Sequence, residues 1–144
     1  MISVIPELEK AKKLIQQVKF KLRKDKIPFD ENIELGIMIE VPSAALTADS
    51  LAEKVDFMSI GTNDLTQYAM AADRMNFKVA NIYSAFHPSV LKLIEMTVKA
   101  CKQKKIPISI CGELAGDLLA LPFFIGLGVD MLSMNPAKIS RCSS

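Results

Sequence analysis

Three residues able to do acid–base or metal chemistry stand at the same kind of place in this sequence. Glu40 closes the run Ile33 to Glu40 (IELGIMIE) just ahead of Pro42. Asp64 follows Asn63 at the end of the run from Val55 to Gly61, and Cys111 closes Ile106 to Cys111 (IPISIC) before Gly112 and Glu113. Short apolar runs of this length read as buried strands of a parallel sheet. In α/β folds, ligands sit at the carboxyl ends of strands, where the next helix begins. Parallel strands would therefore set Glu40, Asp64 and Cys111 on one rim. A carboxylate ending a buried strand is costly unless it is paired or binds metal. Two carboxylates from neighbouring strands, with few other protein ligands, suit Mg²⁺ or Mn²⁺ that also holds substrate oxygens.

The same residues have a plainer reading. Thr62, Asn63 and Asp64 are common helix caps, and an inert buried thiol is the usual fate of a cysteine. At a strand end beside Gly112, Cys111 could instead be an exposed acid or nucleophile. Arg74 lies in a long connection, Asp73 to Phe86. Such loops are often functional, and a guanidinium suits phosphate or carboxylate; the alternative is a surface arginine. His87, ahead of Pro88, is most simply a helix-start residue.

The elements that must position these groups follow from periodicity. Leu8, Ala11, Ile15, Val18 and Leu22 recur at three- and four-residue spacing, which predicts a first helix from Pro6. Met1 to Ile5 reads as the tail of a preceding element. Pro42 and Ser43 open a second helix to about Lys54, Leu65 to Ala72 a third, and Pro88 a fourth with the stripe Leu91, Ile94, Val98 and Cys101. Asp117 is expected to cap a helix through Leu127, with Pro122 forcing a kink or a short first turn. Val129 to Met134 is a fourth strand, and Asn135-Pro136 starts a last helix. Strands alternating with helices imply a parallel sheet with right-handed crossovers. A doubly wound sheet and a (β/α)8 barrel both fit, although 144 residues fall short of the ~250 of a whole barrel.

Composition narrows the function. Half the residues are apolar and a quarter charged, a globular balance. A net charge of +2 is too small to argue for nucleic acid, and the lysines of the first helix read as its solvated face. No apolar run approaches the ~20 residues of a membrane span. No signal-peptide order opens the chain, so the default is cytoplasmic. Cys101, Cys111 and Cys142 form no metal-like spacing, and one histidine excludes a multi-histidine site.

Five stretches, GIMIEVPSAAL (Gly36 to Leu46), VDFMSIGTNDLTQY (Val55 to Tyr68), ADRMN (Ala72 to Asn76), FHPSVL (Phe86 to Leu91) and CGELAGD (Cys111 to Asp117), occur in that order. Together they resemble the phosphoenolpyruvate-binding domain shared by enzyme I of the bacterial sugar phosphotransferase system, phosphoenolpyruvate synthase and pyruvate phosphate dikinase. CGELAGD with the Arg74 motif resembles the enzyme I branch. The resemblance covers about Met1 to Met134 and implies a partial (β/α)8 TIM barrel of the phosphoenolpyruvate/pyruvate type. Residues 1–144 would be the C-terminal part of that domain, four parallel strands alternating with helices.

By the same resemblance Glu40 and Asp64 would hold Mg²⁺, with Mn²⁺ as a substitute. Asn63 and Arg74 would bind the substrate phosphate, Gly61 and Thr62 would line the site, and Glu113 would support Cys111. Cys111 would protonate the enolate carbon to give pyruvate, a step suited to a thiol that keeps its proton at neutral pH. The implied parent passes phosphate from phosphoenolpyruvate to its own histidine and then to a phosphocarrier protein. The chain alone would be inactive, since the family's other arginines and its acceptor histidine lie outside these motifs. Met75 stands where enzyme I usually has glycine, and Leu118 replaces a common proline. Four strands leave open sheet edges, which invites a homodimer. The competing readings are a fragment of one of the two related enzymes and a non-catalytic oligomerisation or regulatory remnant.

Overall fold

A computed structural model describes residues 2–73, 84–137 and 139. The chain begins with helix α1 (Ile5–Lys24), whose first turn carries a proline and whose last turn carries Lys21, Arg23 and Lys24 against the negative end of the helix. There follow β1 (Gly36–Ile39), α2 (Pro42–Leu46), α3 (Ala48–Ala52), β2 (Phe57–Gly61) and α4 (Thr62–Met70). The second half holds α5 (Pro88–Lys104), β3 (Ile108–Cys111), a 3-10 turn (Glu113–Gly116), α6 (Leu121–Leu127) and β4 (Met131–Ser133).

The four strands form one sheet in the order β1-β2-β3-β4, with every neighbouring pair parallel. Ile39, Ile60, Ile110 and Leu132 share one row across it. Because side chains alternate along a strand, that row and the row of Ile37, Met58 and Ile108 point to one face. Those isoleucines and Met58 are buried there, with Leu65, Ile94, Val98 and Phe124 from the helices. The opposite face carries Met38, Phe57, Ser59, Ser109, Cys111 and Met131, half-buried or exposed. A doubly wound sheet covers both faces with helices and reverses its strand order at a switch point. This sheet does neither, so the structure selects the partial (β/α)8 barrel. Among the described residues no helix is long and apolar enough to cross a membrane.

Several expectations need correction. The helix expected from Pro42 to Lys54 breaks at Thr47 (φ −115°, ψ 22°) into α2 and α3. Residues 33–35, 40, 55–56, 106–107, 129–130 and 134, expected in strands, lie outside the four strands, and the helix expected from Leu65 to Ala72 runs from Thr62 to Met70. Asp117 does not cap α6. Its carboxylate accepts from Leu119 N–H at 2.9 Å and its carbonyl from Ala120 N–H at 3.0 Å, which makes a turn. The helix starts after that turn, and Pro122 falls in its first turn, where a missing N–H costs nothing. Of the stripe on α5, Ile94, Val98 and Cys101 are buried, whereas Leu91 is half-buried. Of the stripe on α1 only Leu8 is buried.

The core makes a direct prediction. Ile60 is fully buried on an inner strand, so Ile60→Ala should destabilise the fold by about 2–5 kcal/mol. Ile125→Ala, at a residue 74% exposed, should stay within about 0.5 kcal/mol. Urea denaturation of both variants checks the contrast.

Candidate functional site

The parallel register carries the strand ends to a single rim. One residue beyond the Ile39–Ile60–Ile110–Leu132 row come Glu40, Gly61, Cys111 and Ser133. Glu40 leans across Gly61. A Cβ at position 61 would lie 3.0 Å from Glu40 Cγ and 3.2 Å from Met38 Sδ, so a side chain there would push both neighbours by a few tenths of an ångström. The Glu40 carboxyl then meets Asp64, which stands in the first turn of α4. Burial pushes the pKa of Glu40 above the ordinary carboxylate value, and the hydrogen bond and charge of Asp64 push it in the same direction.

Thr62, Asn63 and Asp64 were open to reading as caps. They lie inside the first turn of α4, Gly61 is the N-cap residue, and no side chain makes a capping bond there. Thr62 and Asn63 instead reach across to the end of β3. The Thr62 hydroxyl, fully buried, donates to the Cys111 carbonyl at 2.9 Å. The Asn63 amide oxygen accepts from the Glu113 N–H at 3.1 Å. Between these bonds Gly112 adopts φ +100°, and a Cβ on it would run into Thr62 Oγ1. A left-handed glycine is thus required for close approach as well as for its backbone angle. With its oxygen accepting, the Asn63 amide can donate only through Nδ2.

Cys111 is half-buried. Its thiol donates to the Ile60 carbonyl at 3.4 Å and accepts from the Ser59 hydroxyl at 3.7 Å. Among the described residues the inert thiol is Cys101, fully buried, with a pKa pushed up by burial to about 11. Cys142 lies outside the described residues. Glu113 is exposed and joins the site through its backbone N–H. Beside Cys111 opens a cavity of about 460 Å³ lined by Asn63, Cys111, Gly112, Glu113, Ser133, Met134 and Asn135. Glu40 and Asp64 do not line it; Asp64 follows the lining residue Asn63 in the chain.

Ser59, Ser133, Met134 and Asn135 escaped the sequence reading. The last three obey the strand-end rule that found the others, applied to the fourth strand. Ser59 carries no such signal, since a lone serine within a strand reads as packing. Arg74 and Met75 lie outside the described residues. His87 starts α5, its Nδ1 accepting from Ser89 N–H at 3.3 Å.

Among the described residues no group of three or more His, Cys, Asp or Glu could hold a metal by itself. The pair Glu40 and Asp64 nevertheless fits a hard dication. Burial and the neighbouring Asp64 make ionisation of Glu40 costly, a cost that a cation between the two carboxylates would offset, and Mg²⁺ commonly uses one or two carboxylates plus water and substrate oxygens. The arrangement can therefore hold an anion with its counter-ion at Asn63, Asp64 and Glu40, and present a thiol proton to its neighbour.

Comparison with known proteins gives a consistent picture. A family model described as "PEP-utilising enzyme, PEP-binding domain" matches residues 1–144. Phosphoenolpyruvate-protein phosphotransferase of Lactococcus lactis subsp. cremoris is 45% identical over 144 residues, which is 100% of this chain and 25% of that protein. The protein of the same name from Priestia megaterium is 43% identical over the same span. The one from Bacillus subtilis is 44% identical over 139 residues, 96% of this chain and 24% of that protein. The chain thus spans about a quarter of the length of these relatives.

The raised pKa of Glu40 fixes a sign. Its protonated form is favoured in the fold, so its contribution is present below the ordinary carboxylate pKa of about 4.3 and lost as pH rises through the higher folded value. In metal-free solution Glu40→Gln should raise the thermal midpoint by a few degrees at pH 7 and leave it unchanged near pH 4. Calorimetric melts at the two pH values test this; a lower midpoint at pH 7 contradicts it.

Proposed function

Because the chain belongs to the PEP-utilising enzymes, as their PEP-binding domain, we propose that it forms the second half of the phosphoenolpyruvate-binding barrel of a phosphoenolpyruvate–protein phosphotransferase. The observation that carries this reading is the meeting of Glu40, Asp64, Asn63 and Cys111 on one rim. Phosphoenolpyruvate is small and strongly anionic, and its breakdown needs charge stabilised at the phosphate and enolate ends with a proton delivered to carbon. These four side chains supply those functions in adjacent positions.

In this reading Glu40 and Asp64 hold Mg²⁺, or Mn²⁺ in its place. The dication offsets the charge of the phosphate and of the enolate oxygen when bound. Asn63 donates to the phosphate and Arg74 neutralises it, while Gly61 and Thr62 shape the floor. An acceptor histidine of the parent takes the phosphoryl group, so the bond between phosphorus and the enol oxygen breaks and leaves the enolate of pyruvate. Cys111 then gives its proton to the enolate methylene carbon, forming pyruvate, and is reprotonated from solvent. Glu113 supports Cys111 through the turn it shares with Gly112 and Asn63. The phosphohistidine passes its phosphate to a phosphocarrier protein. The one histidine of this sequence, His87, starts α5 and is not that acceptor. We place the protein in the cytoplasm as a homodimer, binding substrate without turning it over alone.

Calorimetric titration with phosphoenolpyruvate, with and without Mg²⁺, tests the proposal. Heat of binding is expected only with Mg²⁺. Asp64→Ala should weaken binding at least about tenfold, equivalent to about 1.4 kcal/mol. Cys111→Ser should bind as the unaltered chain does, because its role falls after binding. Absence of binding by a folded sample, or binding indifferent to both Mg²⁺ and Asp64, overturns the assignment.

A further inference from the structure

The inward rows of a (β/α)8 barrel are filled mainly by branched apolar side chains. The sheet face that carries Cys111 departs from that pattern. Ser59 on β2, Ser109 on β3 and Ser133 on β4 share it, because side chains alternate along each strand. Ser59 pairs with Ser109 in the parallel register, and Cys111 with Ser133. Of the three serines, Ser59 is the one that bonds the thiol. Its hydroxyl donates to Cys111 Sγ at 3.7 Å, and the thiol in turn donates to the Ile60 carbonyl at 3.4 Å. With the Thr62 hydroxyl on the Cys111 carbonyl at 2.9 Å, a single stretch of chain holds the sulfur, the proton and the backbone of Cys111.

We propose that Ser59 is a positioning residue for proton transfer by Cys111: its hydroxyl holds the sulfur while the S–H turns toward substrate, and stabilises the thiolate left behind. The inference rests on the role given to Cys111 above and adds a partner to it. In the resting site the thiol proton lies on the Ile60 carbonyl. It must swing about the Cβ–Sγ bond before it can reach an enolate. That rotation moves the hydrogen and leaves Sγ in place, so the Ser59 hydroxyl, which bonds the sulfur itself, stays bonded throughout. In the step that follows, the S–H bond breaks, and the double-bond electron pair of the enolate forms the new C–H bond at its methylene carbon. The S–H electron pair stays on sulfur, and the enolate oxygen becomes the carbonyl oxygen of pyruvate.

Negative charge therefore moves onto Sγ, where the bond from Ser59 becomes charge-assisted and roughly twice as strong as a neutral one. An interaction that strengthens along the reaction lowers its barrier, whereas one equal in both states does not. The placement of Ser59 suits this role. Cys111 lies level with Gly61, so Ser59 stands two residues deeper on the neighbouring strand. Cys111 and Ser133 line the cavity beside the thiol, and Ser59 does not. Ser59 thus supports the sulfur from beneath and leaves its cavity side to the substrate.

Two measurements on the 144-residue chain test the inference, with circular dichroism to show that each variant is folded. The first needs no substrate: iodoacetamide labelling at pH 7, followed at Cys111 by peptide mass spectrometry. The thiolate is the attacking form, and a donor on sulfur favours it. Ser59→Ala should slow labelling roughly threefold or more, Ser59→Thr should restore it by keeping the hydroxyl, and Ser109→Ala should leave it unchanged. The second is exchange of the methyl hydrogens of pyruvate with deuterated solvent in the presence of Mg²⁺, read by NMR. Ser59→Ala should slow exchange about tenfold at saturating pyruvate and leave the half-saturating concentration unchanged, the pattern of an interaction made in the transition state rather than in binding. Labelling or exchange that Ser59→Ala leaves at full rate, or that Ser59→Thr fails to restore, overturns the inference and leaves the role of Cys111 standing. An unaltered chain that exchanges no methyl hydrogen overturns the role of Cys111, and this inference with it, whatever the labelling shows.

Discussion

The parallel register of four short strands is the constraint on which everything else rests. It puts Ile39, Ile60, Ile110 and Leu132 in one row toward the helices, and Glu40, Gly61, Cys111 and Ser133 in the next row toward the open face. Because side chains alternate with a period of two, a one-residue slip of β1 would turn Glu40 into the core and Ile39 out of it. Burial of the isoleucine row therefore does two things at once. It supplies the hydrophobic stabilisation, and it fixes the height at which the polar strand ends emerge.

On that rim local economy gives way to arrangement. Thr62 is buried with a hydroxyl that serves another strand's carbonyl, and Gly112 holds a backbone angle that other residues rarely adopt. Glu40 sits where ionisation is disfavoured by burial and by Asp64. Each feature is unfavourable alone, and each is held by the packed register beneath it. Sites that must bind a charged group commonly carry such tension, because the ligand rather than the fold relieves it. The Asn63 and Thr62 bonds also tie the start of α4, just after β2, to the end of β3 and the turn that follows it.

The strand ends were legible in sequence because the reasons for them are local: an apolar run, then glycine or proline, then small polar residues. The sheet's parallel character followed from alternation alone. The break between α2 and α3 was not legible, since Ala45, Leu46, Ala48, Leu51 and Ala52 keep helical spacing straight through it. The contact between Ser59 and Cys111 was hidden because it joins neighbouring strands 52 residues apart in sequence, and neither residue announces the pairing. Apolar periodicity read α1 correctly as a helix. It could not say that only Leu8 finds a partner, because periodicity identifies a face that wants cover and is silent on what provides it.

That last gap connects fold to function. A helix precedes β1, as a crossover helix precedes its strand in every βαβ unit, and of its apolar stripe Leu8 is buried while Val18 is exposed. The same edge borders Glu40, whose pKa is already raised by burial and by Asp64. Whatever pairs with β1 removes solvent from that carboxylate and sets polar groups beside it. Burial alone would raise its pKa further, while hydrogen-bond donors placed beside it would act in the opposite direction. The open edge and the carboxylate pair are thus one physical problem, in which the cover of the sheet determines how strongly the rim attracts a cation.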